Sequence, residues 1–487
     1  MTPFGTALKK CVDDNSVKVY QLAQKAGIER TNIQKYMSRG SIPSEERLEQ
    51  LIAAMLVSPF EKDELRAAYH ISKDGEFLYN QRIQIKRLIE RMHDVQNFAE
   101  KKPITPRVHD TGSREDADIV GVVRGDLAVN GLIDDMLDCE TRANNPHIRF
   151  VMPYDHAFFY DTLFQKSRGS TLKAECLFEF SKLADITKAR RNANLDVIDA
   201  LLPFILCAPG SFKAHYVYSV HPARHAAILP MPYFLVTSGR AATFTADMQT
   251  AIAFNREDVA ECYGRIFDGM KTKSNALTKR VTSMEEIAAY YVETTQTKTS
   301  AMSGFGSHPC IALYYDRETL DAHLPPELPD RERVIEMLEL VPRYMRNLPQ
   351  KGGIPAYFTP QGLELFVKEG VIPTIDNRLF RNYTPPERVE TFRKMMADIE
   401  NGSMLYRVIN TSKIRVPDCF YVDVFSGSRM NIVIGSAGPA KGLNTVNILE
   451  ESVVDAFHDF LTGAAATEIT YSKDDTLQTL RAALEGL

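Results

Sequence analysis

The 487-residue chain has few cysteines, and they are not arranged to pair. The seven, Cys11, Cys139, Cys176, Cys207, Cys262, Cys310 and Cys419, are widely scattered, and no CxxC occurs. That argues against a disulfide scaffold, a zinc ribbon or a dithiol redox pair. It predicts free thiols in a reducing compartment, most of them small buried hydrophobes. With only 26 residues, glycine is too scarce for a collagen-like repeat; no heptad persists, and low-complexity segments are absent. Long apolar runs are missing too. The most apolar stretch, 201–208, carries Pro203 and falls well short of the roughly 18 residues a membrane span needs. Met1-Thr2-Pro3-Phe4 is not a basic segment leading into an apolar one, so no signal peptide is expected. The expectation is a cytoplasmic protein without a membrane partner.

What is present is ordinary globular composition, 44% hydrophobic and 25% charged, long enough for about three domains. The net charge of −5 is unevenly spread. Residues 1–105 hold 17 Lys and Arg against 14 Asp and Glu, while the remainder holds 41 against 49. A slightly basic N-terminal module and an acidic body are compatible with a polyanion meeting the first and not the second.

Apolar spacing predicts helices through the first hundred residues: Phe4, Leu8, Cys11 and Val12; then Val19, Leu22, Ala23 and Ala26, stopped by Gly27. Further helices follow at Ile33 to Met37, Leu48 to Met55, Phe60 to Tyr69 and Leu78 to Phe98. Residues 101–117, with two prolines, Gly112-Ser113 and many charges, read as a linker. Beyond it, strand-like runs at 148–152, 233–237, 311–315 and 420–424 alternate with helical windows at 258–270 and 331–340, predicting an α/β or α+β body. Phe254, Glu257, Val259, Tyr263 and Ile266 match Ile448, Glu451, Val453, Phe457 and Phe460 at one constant offset. The helical apolar members are spaced to share one buried face. The body is therefore expected to be an internal duplication, with halves at 118–300 and 301–487.

The strongest local signal spans Val17 to Ser44. Leu22-Ala23 places a small residue where two helices cross closely. Gly27 permits a left-handed helix end, and Ile28 and Ile33 fill the angle between the helices. The second helix then offers Arg30, Thr31, Asn32, Gln34 and Lys35, with Arg39 beyond it and Lys18, Tyr20 and Gln21 on the flank. These residue types reach base edges and phosphates in a major groove. Residues 1–70 resemble the helix-turn-helix domain of the Cro/phage-repressor-like (Xre) family of bacterial transcription regulators. The resemblance implies an all-α DNA-binding domain and a dimer on two operator half-sites. The sequence departs from that pattern at Val19, where relatives often have Gln, and at Glu29, where they often have Ser or Thr. A carboxylate at position 29 would repel a nearby phosphate. The long helix near 78–98 and the linker, together 71–117, would connect this domain to the body.

The body offers little chemistry. His221 and His225 flank Pro222, so they need not share a helix face, and no third metal ligand is indicated. Asp155-His156 is an acid–imidazole neighbour pair at background level. The glycines of 435–442 lack phosphate-loop spacing and suit a hairpin loop, and 304–307 reads as a turn before a strand. No GxSxG occurs. A duplicated half ending in a hairpin and a helix resembles a phospholipase D-like fold, whose enzymes carry HxK in each half. This chain has no HxK, so the resemblance implies a catalytically dead sensor. Arg240 and Arg429 follow the Ser-Gly of each repeat and could together hold an anion, or simply sit at hairpin tips. Tyr154, Tyr314, Tyr315, Tyr357 and Arg407 are further cleft candidates.

The sequence thus predicts a non-enzymatic, DNA-binding transcription regulator with no cofactor and no metal. Its partners would be a double-stranded DNA operator, a second copy of the chain and a small-molecule or protein effector. A protein-interaction module, and an enzyme with a DNA-binding prefix, are the alternatives.

Overall fold

A computed structural model describes residues 1–100, 120–168, 170–182, 191–207, 211–219, 229–281, 283–296, 299–348, 352–374, 379–434 and 444–487. The expected linker at 101–117, the His221–Pro222–His225 segment and the glycine loop at 435–442 lie outside them. The chain divides into a helical unit, Met1–Gln84 with Ala184–Asn192, and a larger unit, Ile85–Leu183 with Ala193–Leu487.

In the helical unit, α1 (Pro3–Asp14), α2 (Val19–Ala26), α3 (Arg30–Ser38), α4 (Glu45–Ala54) and α5 (Pro59–Asp74) follow the predicted spacing, and α6 (Glu76–Glu100) begins there. Their starts are capped. Thr2, Ser44 and Ser58 side chains accept from backbone N–H groups of Gly5, Arg47 and Glu61, and Pro3 and Pro59 occupy first-turn positions. Gly27 ends α2 at φ 64°, the left-handed region that glycine enters without Cβ strain. Phe4, Leu8, Ile33 and Leu51 are fully buried in one core with Leu22, Leu48, Ile52 and Tyr69. Helix α1 packs on α3 and α5, and α2 on α3 and α4. A Cβ at Gly5 would sit 2.5 Å from the Tyr36 carbonyl oxygen, so glycine there sets how closely α1 meets α3. Asn192 is held by reciprocal bonds of 3.1 Å between its backbone and the side chain of Gln84.

The larger unit contains two mixed sheets with helices, an α/β body. In the first sheet, β2 (His147–Val151), β3 (Lys173–Ser181) and β4 (Phe212–Ser219) are parallel, while β5 (Tyr233–Val236), β6 (Ala241–Phe244), β7 (Thr250–Phe254) and β1 (Val120–Arg124) continue antiparallel from β2. The two-residue β8 (Asn275–Ala276) closes the far edge against β4. In the second sheet, β10 (Met302–Gly306), β11 (Ile354–Phe358) and β12 (Met404–Val408) are parallel, and β13 (Phe420–Phe425), β14 (Arg429–Ile434), β15 (Asn444–Ile448) and β9 (Thr278–Val281) continue antiparallel from β10. The strand order β1-β7-β6-β5-β2-β3-β4 of one sheet is thus repeated as β9-β15-β14-β13-β10-β11-β12 in the other.

The helices occupy matching places. In the first half, α7 (Asp126–Thr141) follows β1 and α8 (Ala157–Ser167) follows β2. Helix α9 (Ala193–Cys207) follows β3, and α10 (Glu257–Lys271) follows β7. In the second, α11 (Met284–Thr295) follows β9 and α16 (Glu451–Thr462) follows β15. Between β10 and β12 lie α12 (Arg317–His323), α13 (Arg331–Arg346), α14 (Pro360–Glu369) and α15 (Pro385–Asn401). Helices α17 (Ala464–Ile469) and α18 (Lys473–Glu485) end the chain. One core joins the two sheets: Ile133, Phe159, Leu201 and Leu235 of the first half belong to it together with Val422, Ile432, Val453 and Phe457 of the second. Tyr218 donates to Glu450 at 3.0 Å and Asn194 to Ser452 at 2.9 Å across the same junction.

Three readings of the sequence are corrected. Residues 304–307 are not a turn: Gly304 and Gly306 lie within β10, where a Cβ would meet the Tyr421 hydroxyl at 2.3 Å and the Phe420 carbonyl at 2.5 Å. The run 311–315 is not a strand but a 3-10 turn at Ala312–Tyr314, apolar because Ile311, Leu313 and Tyr314 are buried in the core. The shared buried face of the matched helices holds for Val453, Phe457 and Phe460. In α10, however, Ile266 is 48% exposed, and the buried positions are Ala260, Gly264 and Phe267.

Candidate functional site

Ile33 and Tyr36 of α3 point into the helical core, and that anchoring sets which residues face outward. Arg30, Thr31, Gln34 and Lys35 are exposed at helical spacing along one side; Arg39 is exposed at the C-cap, and Asn32 is half-buried. Lys18, Tyr20 and Gln21 are exposed at the start of α2, with Tyr20 65% exposed. Among the described residues none of Lys18, Arg30, Lys35 and Arg39 takes part in an ion pair. Elsewhere in the unit, by contrast, Lys10 pairs with Glu64, Arg66 with Glu49, Lys73 with Glu45 and Arg82 with Asp74. Among the described residues Lys25 of α2 is unpaired as well, but so are Lys9 of α1, Arg47 of α4 and Lys62 of α5, so cations outside ion pairs are not confined to the α2–α3 side. Glu29 precedes α3 without capping it; its carboxylate accepts from the Thr31 hydroxyl at 3.3 Å.

Arg240 and Arg429 are each bound to a carboxylate of their own half. Arg240 donates to Asp135 on α7 at 2.7 Å, and Arg429 to Glu293 on α11 at 3.1 Å, with its guanidinium 5.5 Å from the Tyr290 ring centre. The hydrogen bond from Arg429 holds Glu293 below the usual carboxylate range. Tyr314 and Tyr357 are buried and bonded to Asp398 and to the Leu461 carbonyl, and Arg407 donates to the Tyr406 carbonyl, so these three are committed within the fold. The His156 ring accepts from the Phe159 N–H and caps α8. Ser303 and His458 lie 3.3 Å apart as a hydroxyl–imidazole pair, separated by 155 residues and invisible to motif reading. Ser303 is fully buried, however, and a nucleophile needs access to its substrate.

A second constellation escaped the sequence. Asp423, Asn431 and Asn447 are consecutive across β13, β14 and β15, in register on one face. Each is at most 3% exposed. Tyr291 of α11 covers the row and donates to Asp423 Oδ2 at 2.9 Å. Burial pushes the Asp423 carboxyl up to about 7, against the lowering effect of the Tyr291 and Asn431 bonds. Among the described residues no group of three or more His, Cys, Asp or Glu side chains could hold a metal ion, and no helix is long and apolar enough to cross a membrane.

No protein-family model matches the chain, and no curated protein does either. Among solved structures, it overlaps the archaeal chromatin protein TrmBL2, described as showing a novel mode of DNA binding. The TM-score is 0.22 at 12% identity, covering 50% of this chain and 81% of that one. It also overlaps a phosphatidylserine synthase of Haemophilus influenzae Rd KW20, with a TM-score of 0.26 at 8% identity, covering 75% and 91%. Overlaps of this size define neither a fold family nor an activity for the chain.

Proposed function

We propose that the chain is a sequence-specific DNA-binding transcription regulator whose α2–turn–α3 segment is a helix-turn-helix of the Xre type. The observation that carries this reading is the face of α3: cationic and amide side chains exposed at helical spacing, outside the ion pairs of the unit, on a helix held by Ile33 and Tyr36. Arg30 and Gln34 suit base edges, and Lys18, Lys35 and Arg39 suit phosphates on either side. Glu29 would tilt the helix start away from the backbone. One such unit buries too little DNA for high specificity, so the active species would be a homodimer on two half-sites.

The body would be a duplicated sensor without catalytic function. Its two sheets share one strand order, and equivalence extends to single residues. Gly121 and Lys279 hold one register position, opposite Ala253 and Asn447. Asp135 and Glu293 both lie fourteen residues further on. Ala242 and Asn431 hold another, opposite the same two residues, and Arg240 and Arg429 both lie two residues earlier. The Arg240–Asp135 and Arg429–Glu293 pairs are then one ion pair inherited twice. This supports the duplication and assigns both arginines to holding each hairpin on its helix, in place of a shared anion site.

Selection of bound duplexes from a random library with the full-length chain tests the DNA reading. An enriched motif that the Arg30→Ala/Lys35→Ala variant no longer selects supports it. Binding without sequence preference, unchanged in the double variant, overturns it.

A further inference from the structure

The row Asp423–Asn431–Asn447 is unusual in what it leaves unmade. Asp423 Oδ1, Asn431 Oδ1 and Asn447 Oδ1 are buried with no hydrogen-bond partner, as is the Thr445 hydroxyl; the buried hydroxyls of Tyr421 and Tyr290 beside them have the Cys310 thiol and Thr294 as hydrogen-bonding neighbours. The register brings these groups to one place. Thr445 and Tyr421 lie two residues from Asn447 and Asp423 on the same face of the sheet, and Tyr290 lies beside Tyr291 on the covering helix. Cross-strand neighbours on one face stand about 5 Å apart at Cβ. The orphans are all oxygens, and three of them only accept. Asp423 has no cationic partner among the described residues: Tyr291 and Asn431 are its hydrogen-bonding neighbours, and the nearby Arg429 is turned to Glu293.

The fold does not require this polarity. The corresponding row of the first sheet is Leu235, Ala242 and Ala253, and Ile133 stands where Tyr291 does, twelve residues beyond the matched β1 and β9 positions. Those four residues are apolar, and Leu235, Ala242 and Ile133 belong to the joint core. Leaving one buried acceptor unpaired costs about 1–3 kcal/mol, and a whole row multiplies that cost. A lone cation seated on the Asp423–Asn431–Asn447 row would give its free oxygens a partner and neutralise the carboxylate.

We infer that the oxygen-lined row beneath α11 is a binding site for a small monovalent cation, an alkali ion or a primary ammonium group. It is independent of the DNA reading and of any role for the α2–α3 face.

Thermal melting of the full chain at one fixed ionic strength tests it, in sodium, potassium, methylammonium or choline chloride. The expected result is a midpoint several degrees higher in at least one small cation than in choline, rising with its concentration. A response to sodium or potassium assigns an alkali ion; a response to methylammonium alone assigns an ammonium group. The variant Asp423→Leu/Asn431→Ala/Asn447→Ala, which copies the first sheet's row, should fold and melt alike in all four salts. Should it fail to fold, Asn447→Ala alone should weaken the response by about tenfold in cation concentration, one ligand being worth on the order of a factor of ten. Identical wild-type melting in all four salts overturns the inference, and so does a cation response that survives in the triple variant.

Discussion

Tyr291 and Asp423 form a buried hydrogen bond of 2.9 Å at positions where the first half of the body places Ile133 and Leu235, both fully buried in the joint core. The same architecture thus carries an apolar contact in one half and a polar one in the other. The two halves differ in chemistry at matched positions while sharing one strand order.

The carboxyl of Asp423 gives a pH signature. Its folded value of about 7 lies above the ordinary value of 3.8, so its ionisation opposes folding. The penalty is absent below pH 4, grows as pH rises toward 7 and is complete above it. A rise of that size amounts to roughly 4 kcal/mol. The facing groups, Tyr290, Tyr291, Tyr421, Tyr315 and Cys310, are all pushed up by burial and stay neutral through that range. Asp423→Asn should therefore gain stability over wild type as pH rises from 4 to 7 in choline buffer, as read by denaturant midpoints. A difference that stays flat with pH contradicts this.

His308 works in the opposite direction. Burial pushes it down to about 4, and its ring bonds Thr374 at 2.8 Å and stacks on Tyr421. Its neutral form supports the fold above the unfolded value near 6.5, and that support is lost as pH falls toward 4. His308→Gln should flatten the acid limb of the wild-type stability profile. An unchanged acid limb counts against the assignment.

The Arg429–Glu293 and Arg240–Asp135 ion pairs should be unequal. The Arg429 side chain is 17% exposed and that of Arg240 33%, so solvent screens the second pair more. Double-mutant cycles with Glu293→Gln and Asp135→Asn should give coupling of about 1 kcal/mol or less in both, larger for Arg429. A larger coupling for the Arg240 pair would falsify this ranking.

Ile33 is fully buried between α3 and its neighbours. Ile33→Ala should destabilise the helical unit by about 2–5 kcal/mol and abolish DNA binding through unfolding, visible as a weaker helical signal. Arg30→Ala should leave that signal intact.

The helical unit was legible because its boundaries are written in local chemistry: Gly27 ends α2, while Ser58 with Glu61 and Pro59 starts α5. The strand order of the body was partly legible, since β5, β7, β13 and β15 are rich in β-branched and aromatic residues. Strand β10, read as Met-Ser-Gly-Phe-Gly, hid behind its glycines, which are there for close approach to Tyr421 and Phe420. The polar row was not legible. Asp423 and Asn431 alternate with apolar residues as they would in a strand with one wet face. Only the covering helix α11 shows that both faces are dry.

Reading of DNA by α3 would show itself in how the affinity for a selected duplex depends on salt. The expected result is a steep linear fall of log K with log salt. In the Arg30→Ala/Lys35→Ala variant the slope should be shallower by about 0.9 for each phosphate that the chain no longer neutralises, and preference for the selected sequence should disappear. An unchanged slope and unchanged preference in that variant would contradict it.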